Sequence, residues 1–311
     1  MNYAVIDLGS NTIRLSVYHY KDHKITAVIR QKEIAGLAGY IKKNRLAPEG
    51  IEKACDILNA FKEIAVRFVK KSEIYVFATA SLRGILNQAQ ALERIHVSTG
   101  LLPDVLTGEE EARLDFIGAS RFMECTEGIL IDIGGASTEI VRFQNAQPVQ
   151  LASMPIGCLN LFAKFVAKVI PTDMERKAIK KEIKEQLRNI GWDEKETLPL
   201  MIGVGGTMRA AHKLSCSLFS IPKEQNEIKA VYIREILREL KHNENEIYHT
   251  VYKLIPERTL TISTGLLILH EAIKKFDSDT IFISNYGVRE GYFIDRILKE
   301  SDAVRCSLSM Q

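Results

Sequence analysis

Apolar and polar residues alternate along this chain in short runs, separated by stretches where apolar positions recur at three and four. The alternation predicts strands at Ala4 to Leu8, Ile13 to Tyr20 and Lys24 to Arg30. The segment from Gly36 to Arg45 reads as an irregular or short helical connection. Pro48 and Glu49 then open a long amphipathic helix with Ile51, Ala54, Ile57, Leu58, Phe61, Ile64 and Ala65 on one face. A strand at Ile74 to Ala78, a helix at about Asn87 to Ser98, a strand at Leu101 to Leu106 and a helix from Thr107 follow. This β-β-β-α-β-α-β order predicts a mixed sheet with helices packed against it.

The second half repeats the theme. Gly128 to Arg142 is an apolar strand, a glycine break and a β-branched returning strand, hence a hairpin. Val149 to Met154 is a further strand, and Pro155 to Gly157 turns into a helix from Cys158. Helices are predicted at Asp173 to Ile190, Met208 to Leu214, Val231 to Leu240, Glu244 to Leu254, Ser263 to Phe276 and Tyr292 to Lys299, with strands at Leu200 to Val204 and Thr280 to Ser284.

Chemistry gathers at the turns. Asp132 precedes Gly134 and Gly135, which let backbone N–H groups approach an anion, while Ser137 and Thr138 add hydroxyls. Asp132 and Glu139 flank that turn, and two carboxylates beside a phosphate call for a hard cation such as Mg²⁺ between them. A plain Gly-Gly hairpin with exposed acids is the competing reading. The first hairpin repeats the design, however, with Asp7 ahead of Gly9, Ser10, Asn11 and Thr12. Two such turns about one domain apart suit two related lobes that close on one phosphate chain. Gly205, Gly206 and Thr207 after the strand Leu200 to Val204 suit either an anion site at a helix start or tight strand-to-helix packing.

The helix start Thr107-Gly108-Glu109-Glu110-Glu111 carries three acids. Thr107 and Glu110 form a capping box, and the macrodipole accounts for Glu109. Glu111 is left, with Asp115 four residues on as a like-charged neighbour. It is either one more acid at a helix start or a general base whose pKa its neighbours raise.

Composition narrows the class without choosing a substrate. At 311 residues and 46% hydrophobic, the chain suits about two domains, and no run approaches a membrane span. No basic region followed by a long apolar core marks a signal peptide. Cys55, Cys125, Cys158, Cys216 and Cys306 lack metal-ligand spacing, so a reduced, cytoplasmic, non-zinc protein is expected. The net charge of +3 argues neither for nor against a polyanionic partner. Lysines in Ile41 to Arg45 and Lys177 to Arg188 could line a path for one, or form a solvated helix face. Neither a Walker GxxxxGK[ST] nor a strand-linked GxGxxG occurs.

DLGSNT (Asp7 to Thr12), TASLR (Thr79 to Arg83), TGEEEAR (Thr107 to Arg113), IDIGGASTE (Ile131 to Glu139), GVGGT (Gly203 to Thr207) and NYGVREG (Asn285 to Gly291) together resemble the exopolyphosphatase and guanosine pentaphosphate phosphohydrolase family. The motifs run in family order from residue 3 to about 298. The resemblance implies an α/β fold of the duplicated actin-like, sugar kinase and Hsp70 type (ribonuclease H-like). It would form two lobes, 1–124 and 125–311, with an interdomain cleft and a last helix packing back on the first lobe.

It further implies hydrolysis of a terminal phosphoanhydride in inorganic polyphosphate or pppGpp, with Mg²⁺ or Mn²⁺, by a cytoplasmic protein, with a homodimer plausible and no nucleic-acid or membrane partner. By position, Glu111 would activate water and Arg83 would contact a phosphate oxygen. Asp7, Asp132 and Glu139 would hold metal or orient water. Ser10, Asn11, Thr12, Gly134, Gly135, Ser137, Thr138, Gly205, Gly206 and Thr207 would cradle phosphates. Two departures stand out: Ala136 replaces the third glycine of the family's usual triplet, and IRQKEIAGLAGYI lacks the usual arginine-leucine-glycine run. The resemblance also implies a short two-lobed form lacking the helical C-terminal domain of longer relatives. A kinase would need an acceptor-deprotonating Asp and room for ATP. A catalytically weak protein that binds (p)ppGpp or polyphosphate for regulation is the other alternative.

Overall fold

The computed structural model describes residues 1–22, 24–120, 125–192, 197–242 and 244–299. It contains two compact units, Met1–Glu111 and Ala112–Gln311.

In the first unit, β1 (Asn2–Leu8) and β2 (Thr12–Lys21) form an antiparallel hairpin with Asp7 opposite Arg14. β3 (Lys24–Ile34) continues the meander beyond the expected end at Arg30, pairing Ile34 with Thr12. The expected irregular connection is a 3-10 turn, Leu37–Tyr40, followed by the miniature hairpin β4 (Ile41–Lys42) and β5 (Arg45–Leu46). In α1 (Pro48–Ala65), Pro48 opens the helix where its missing N–H costs no bond. Ile51, Ala54, Leu58, Phe61 and Ala65 are buried there, while Ile57 and Ile64 are half-buried. β6 (Ile74–Ala78) runs parallel to β1, and α2 (Gln88–Thr99) leads to β7 (Asp104–Val105). The strand expected over Leu101 to Leu106 shrinks to those two residues, because Pro103 has no N–H for the ladder. The sheet order is β3-β2-β1-β6-β7, and α3 (Gly108–Ser120) follows.

The second unit repeats this order. β8 (Gly128–Ile133), β9 (Thr138–Gln144) and β10 (Gln147–Met154) form the meander. α4 (Cys158–Phe165) and α5 (Asp173–Asn189) lead to β11 (Leu200–Val204), parallel to β8. Then come α6 (Gly205–Leu218), β12 (Glu227–Lys229), α7 (Ala230–His242), α8 (Glu244–Leu254), α9 (Ile262–Phe276) and β13 (Thr280–Ile283), parallel to β11. The order β10-β9-β8-β11-β13-β12 matches the first sheet, with β12 added at the edge. Two copies of one strand order make this a duplicated actin-like α/β fold. The three residues of β12 carry too little alternation to signal a strand.

α10 (Val288–Tyr292) begins ahead of the expected start at Tyr292 and continues as π-helical turns over Phe293–Leu298. Its first amides find acceptors: Gly287 N–H donates to Glu290 Oε2 (3.1 Å), and Val288 N–H donates to Asp115 Oδ1 (2.7 Å). The unit division falls inside α3, not at 124/125. A Cβ at Gly118 would overlap the Gly287 carbonyl, and one at Gly291 would overlap the Leu114 carbonyl. Glycine at both places lets the two backbones touch, so the second half of α3 belongs with α10. α10 packs on the second half of α3, and both belong to the second unit.

Arg113 Nη2 donates to Asp295 Oδ2 at 2.5 Å across the same contact. That bond, with Lys299 adding to it, outweighs burial and lowers the Asp295 carboxyl to about 2. A depressed folded pKa gives stability that is present above the unfolded value of about 3.9 and is lost as pH falls through about 2. Asp295→Asn is therefore expected to cost on the order of 2 kcal/mol at pH 7 and to flatten the acid limb between about pH 4 and 2. Trp192, the one tryptophan, packs at 6.2 Å from Phe276 in this unit, and its fluorescence during denaturant unfolding reports the change.

Candidate active site

The two hairpin turns share one construction. Gly9 N–H donates to Thr12 O (3.2 Å), and Gly134 N–H donates to Ser137 O (3.0 Å). The carbonyls of the first turn are held by later backbone, Ser10 O by Ala38 N–H and Asn11 O by Ala35 and Gly36 N–H. In the second, Cys158 N–H donates to Gly134 O, and Leu159 and Asn160 N–H donate to Gly135 O. These bonds fix both turns from behind. Gly134 spends its amide closing the turn, while the amides of Gly135, Ala136 and Ser137 meet no acceptor among the described residues and have the character an anion site needs. Ala136 supplies an N–H as glycine would.

The hydroxyl assignments divide. Thr138 is fully buried and donates to Ile156 O (2.7 Å), and buried Thr207 donates to Ile133 O (2.8 Å). Each hydroxyl has one proton and spends it on backbone, so both hydroxyls brace the turn. Ser81 does the same in the first unit by donating to Leu8 O. Thr12, Ser10 and Asn11 form the first turn, and Ser137 completes the second.

Aligning the units on their turns pairs Leu8 with Ile133, Ser81 with Thr207 and Arg83 with Arg209. Arg209, half-buried in the first turns of α6, is absent from the sequence reading. The duplicated spacing, a hydroxyl residue followed two positions later by Arg, was the signal for it.

α6 starts at Gly205, ahead of the expected Met208, so Gly205, Gly206 and Thr207 form its first turn. Gly205 has φ +85°, and a Cβ there would overlap Asp132 Oδ1. Asp132 therefore lies against the positive end of α6, where a carboxylate is favoured. Glycine is needed at this position for both backbone and space.

The carboxylates are arranged differently in the two units. Asp7 stands opposite Arg14 in the first ladder, an opposite-charge pairing. Asp132 stands opposite Glu139 in the second, and directly opposed like charges are unfavourable unless a cation joins them. Glu139 is 1% exposed and accepts from Ser153 Oγ at 2.8 Å, while Asp132 is half-buried. Among the described residues no three His, Cys, Asp or Glu side chains group as a metal centre. The all-oxygen pair nonetheless fits a hard divalent cation completed by phosphate or water oxygens.

Glu111 is resolved from its neighbours by its partners. Glu110 caps α3, accepting from Thr107 N–H (2.9 Å) and Oγ1 (3.0 Å), as expected. Asp115, the supposed like-charged neighbour, accepts from Val288 N–H. Glu111 instead accepts from Arg83 Nη1 at 2.7 Å and is 9% exposed. The raised-pKa argument from Asp115 thus gives way to a carboxylate oriented by a guanidinium. In the second unit the capping glutamate recurs as Glu290, and the next position is Gly291. The base candidate belongs to the first unit only.

Cys55, Cys125, Cys158 and Cys216 are free thiols, while Cys306 lies outside the described residues. No described helix is long and apolar enough to cross a membrane.

Comparison with known proteins identifies the family. A guanosine-5'-triphosphate,3'-diphosphate pyrophosphatase from Vibrio atlanticus (strain LGP32) is 27% identical over 330 aligned positions, covering 99% of this chain and 62% of that protein. The chain thus spans less than two thirds of that curated relative. The crystal structure of the Aquifex aeolicus Ppx/GppA family member superposes with TM-score 0.79 at 26% identity, over 96% of this chain and 98% of that one. An exopolyphosphatase from Cytophaga hutchinsonii shares the fold, with TM-score 0.80 at 20% identity over 94% and 97%. The profile of the Ppx/GppA phosphatase family matches residues 16–300, and the chain belongs to that family.

Proposed function

We propose that this chain hydrolyses a terminal phosphoanhydride, releasing orthophosphate from inorganic polyphosphate or converting pppGpp to ppGpp. The observation that carries the reading is the Arg83–Glu111 pair at 2.7 Å. Glu111 is an acid that helix capping does not require, held in one orientation by a cation.

Phosphoryl transfer asks for positioning and charge neutralisation more than for covalent chemistry. Glu111 takes the proton from the attacking water, and Arg83 offsets charge on a phosphate oxygen. In the second unit the amides of Gly135, Ala136 and Ser137 suit phosphate oxygens, and in the first the turn Ser10 to Thr12 has the same construction. Asp132 and Glu139, opposed in the β8–β9 ladder, would hold Mg²⁺ or Mn²⁺. Bound there, the cation supplies charge neutralisation to the phosphate. The Vibrio relative's name supports pppGpp as a substrate, and the family supports polyphosphate beside it.

The test is orthophosphate release from long polyphosphate, short polyphosphate and pppGpp. Release from at least one is expected, falling at least tenfold with a chelator and returning with Mg²⁺ or Mn²⁺. Binding of pppGpp without release from any substrate would replace hydrolysis with a regulatory binding role.

A further inference from the structure

A groove of about 730 Å³ lies between α5 and α9 in the second unit, and its lining is almost entirely basic. α5 contributes Lys177, Lys180, Lys181, Lys184 and Arg188, and α9 contributes Lys274 and Lys275. The α5 residues recur at three, four, seven and eleven, so they form one stripe about 16 Å long. Such a stripe has a cost to the helix: Lys177 with Lys181, Lys180 with Lys184 and Lys184 with Arg188 are like-charge pairs at i+4.

The charge is only partly offset: Asp173, one turn before Lys177, feels its charge, and Glu271 faces Lys180 and Lys184. Among the described residues, no carboxylate lies within ion-pair distance of Lys177, Lys181, Arg188, Lys274 or Lys275. The acid in the lining, Glu271, is 3% exposed and stands 3.8 Å from Lys180 and 3.7 Å from Lys184. Burial alone would raise its carboxyl, but the hydrogen bond from His270 and the charges of His270, Lys184 and Lys180 hold it below the ordinary range. The floor is thus neutralised, and the walls present cations. A concave, one-signed surface concentrates field and attracts counter-ions of matching shape.

We propose that this groove is a separate binding track for a linear polyanion, and that the polyanion is inorganic polyphosphate. This rests on the proposed phosphatase reading. Shape favours a linear chain, because the cations run along a helix and do not converge on a point. The lining has no aromatic ring, so it lacks the platform on which nucleotide bases and single-stranded nucleic acids stack. The track is also apart from the turn at Thr207. A Cβ added at Gly265 of α9 would meet Thr207 Cγ2 at 2.5 Å, so α9 passes the turn there, whereas Lys274 lies about 14 Å further along that helix. Its role is to retain long chains.

The test uses the full chain carrying Glu111→Gln, so that ligand survives, with and without Lys177→Gln, Lys181→Gln and Lys274→Gln combined. Binding of fluorescent long-chain polyphosphate is measured over a salt series. The combined change is expected to weaken binding at least tenfold and to lower the slope of log K against log salt by about two to three, one released counter-ion per lost cation. With Glu111 restored, the same three changes should leave tripolyphosphate hydrolysis within a factor of two. Unchanged affinity and salt slope would overturn the track, as would heparin or RNA binding as tightly as polyphosphate with the same losses. Failure of the native chain to hydrolyse any substrate would sink the phosphatase reading, while the binding arm would still decide the track.

Discussion

Replacing Glu111 by Gln is expected to lower kcat for phosphate release by about 10² to 10⁴, the range for loss of a positioned general base. The amide can still accept from Arg83, so the change removes basicity with little change of shape. Substrate affinity should hold within a few-fold, which places the loss in the chemical step. Glu110→Ala is the matched control one residue away. It removes the acceptor for Thr107 N–H and Oγ1, costing about 0.5–1 kcal/mol of stability, and should leave kcat within a few-fold. Equal losses from both changes would mean that the helix start, and not Glu111, matters.

Gly205→Ala should produce the second large effect, through two mechanisms that add. A non-glycine residue at φ +85° is strained by about 1–2 kcal/mol. The new Cβ also overlaps Asp132 Oδ1, so the carboxylate must move off the end of α6. A shift of about 1 Å in a positioning group can cost about 10²-fold in rate. Stability read at Trp192 should fall by about 1–3 kcal/mol, and kcat by about 10²-fold. A change in stability with full activity would show that Asp132 has no part in the reaction.

The strands and amphipathic helices were legible because their periods are local. α1 follows the stripe Ile51 to Ala65 closely, and both hairpins appear where alternation placed them. What escaped depends on contacts distant in sequence. The boundary moved into α3 because Gly118 and Gly291 let that helix touch α10, a contact no window of sequence displays. Thr138 and Thr207 looked like phosphate donors, since hydroxyls beside glycines usually do, and only the fold brings Ile156 O and Ile133 O to them. Glu111 was separable from Glu110 by capping logic, but its partner Arg83 lies 28 residues away. Arg209 could have been found by aligning the two halves on their hydroxyl-to-arginine spacing. The contrast between Asp7 facing Arg14 and Asp132 facing Glu139 needed the strand register.

The most direct test is hydrolysis of pppGpp and polyphosphate in ¹⁸O-enriched water, comparing the native chain with Glu111→Gln. Water attack on the terminal phosphorus predicts one ¹⁸O in each released orthophosphate, none in the ppGpp left behind, and near-complete loss of release in the variant. Label in the residual nucleotide, or release that survives Glu111→Gln at the native rate, would contradict the account.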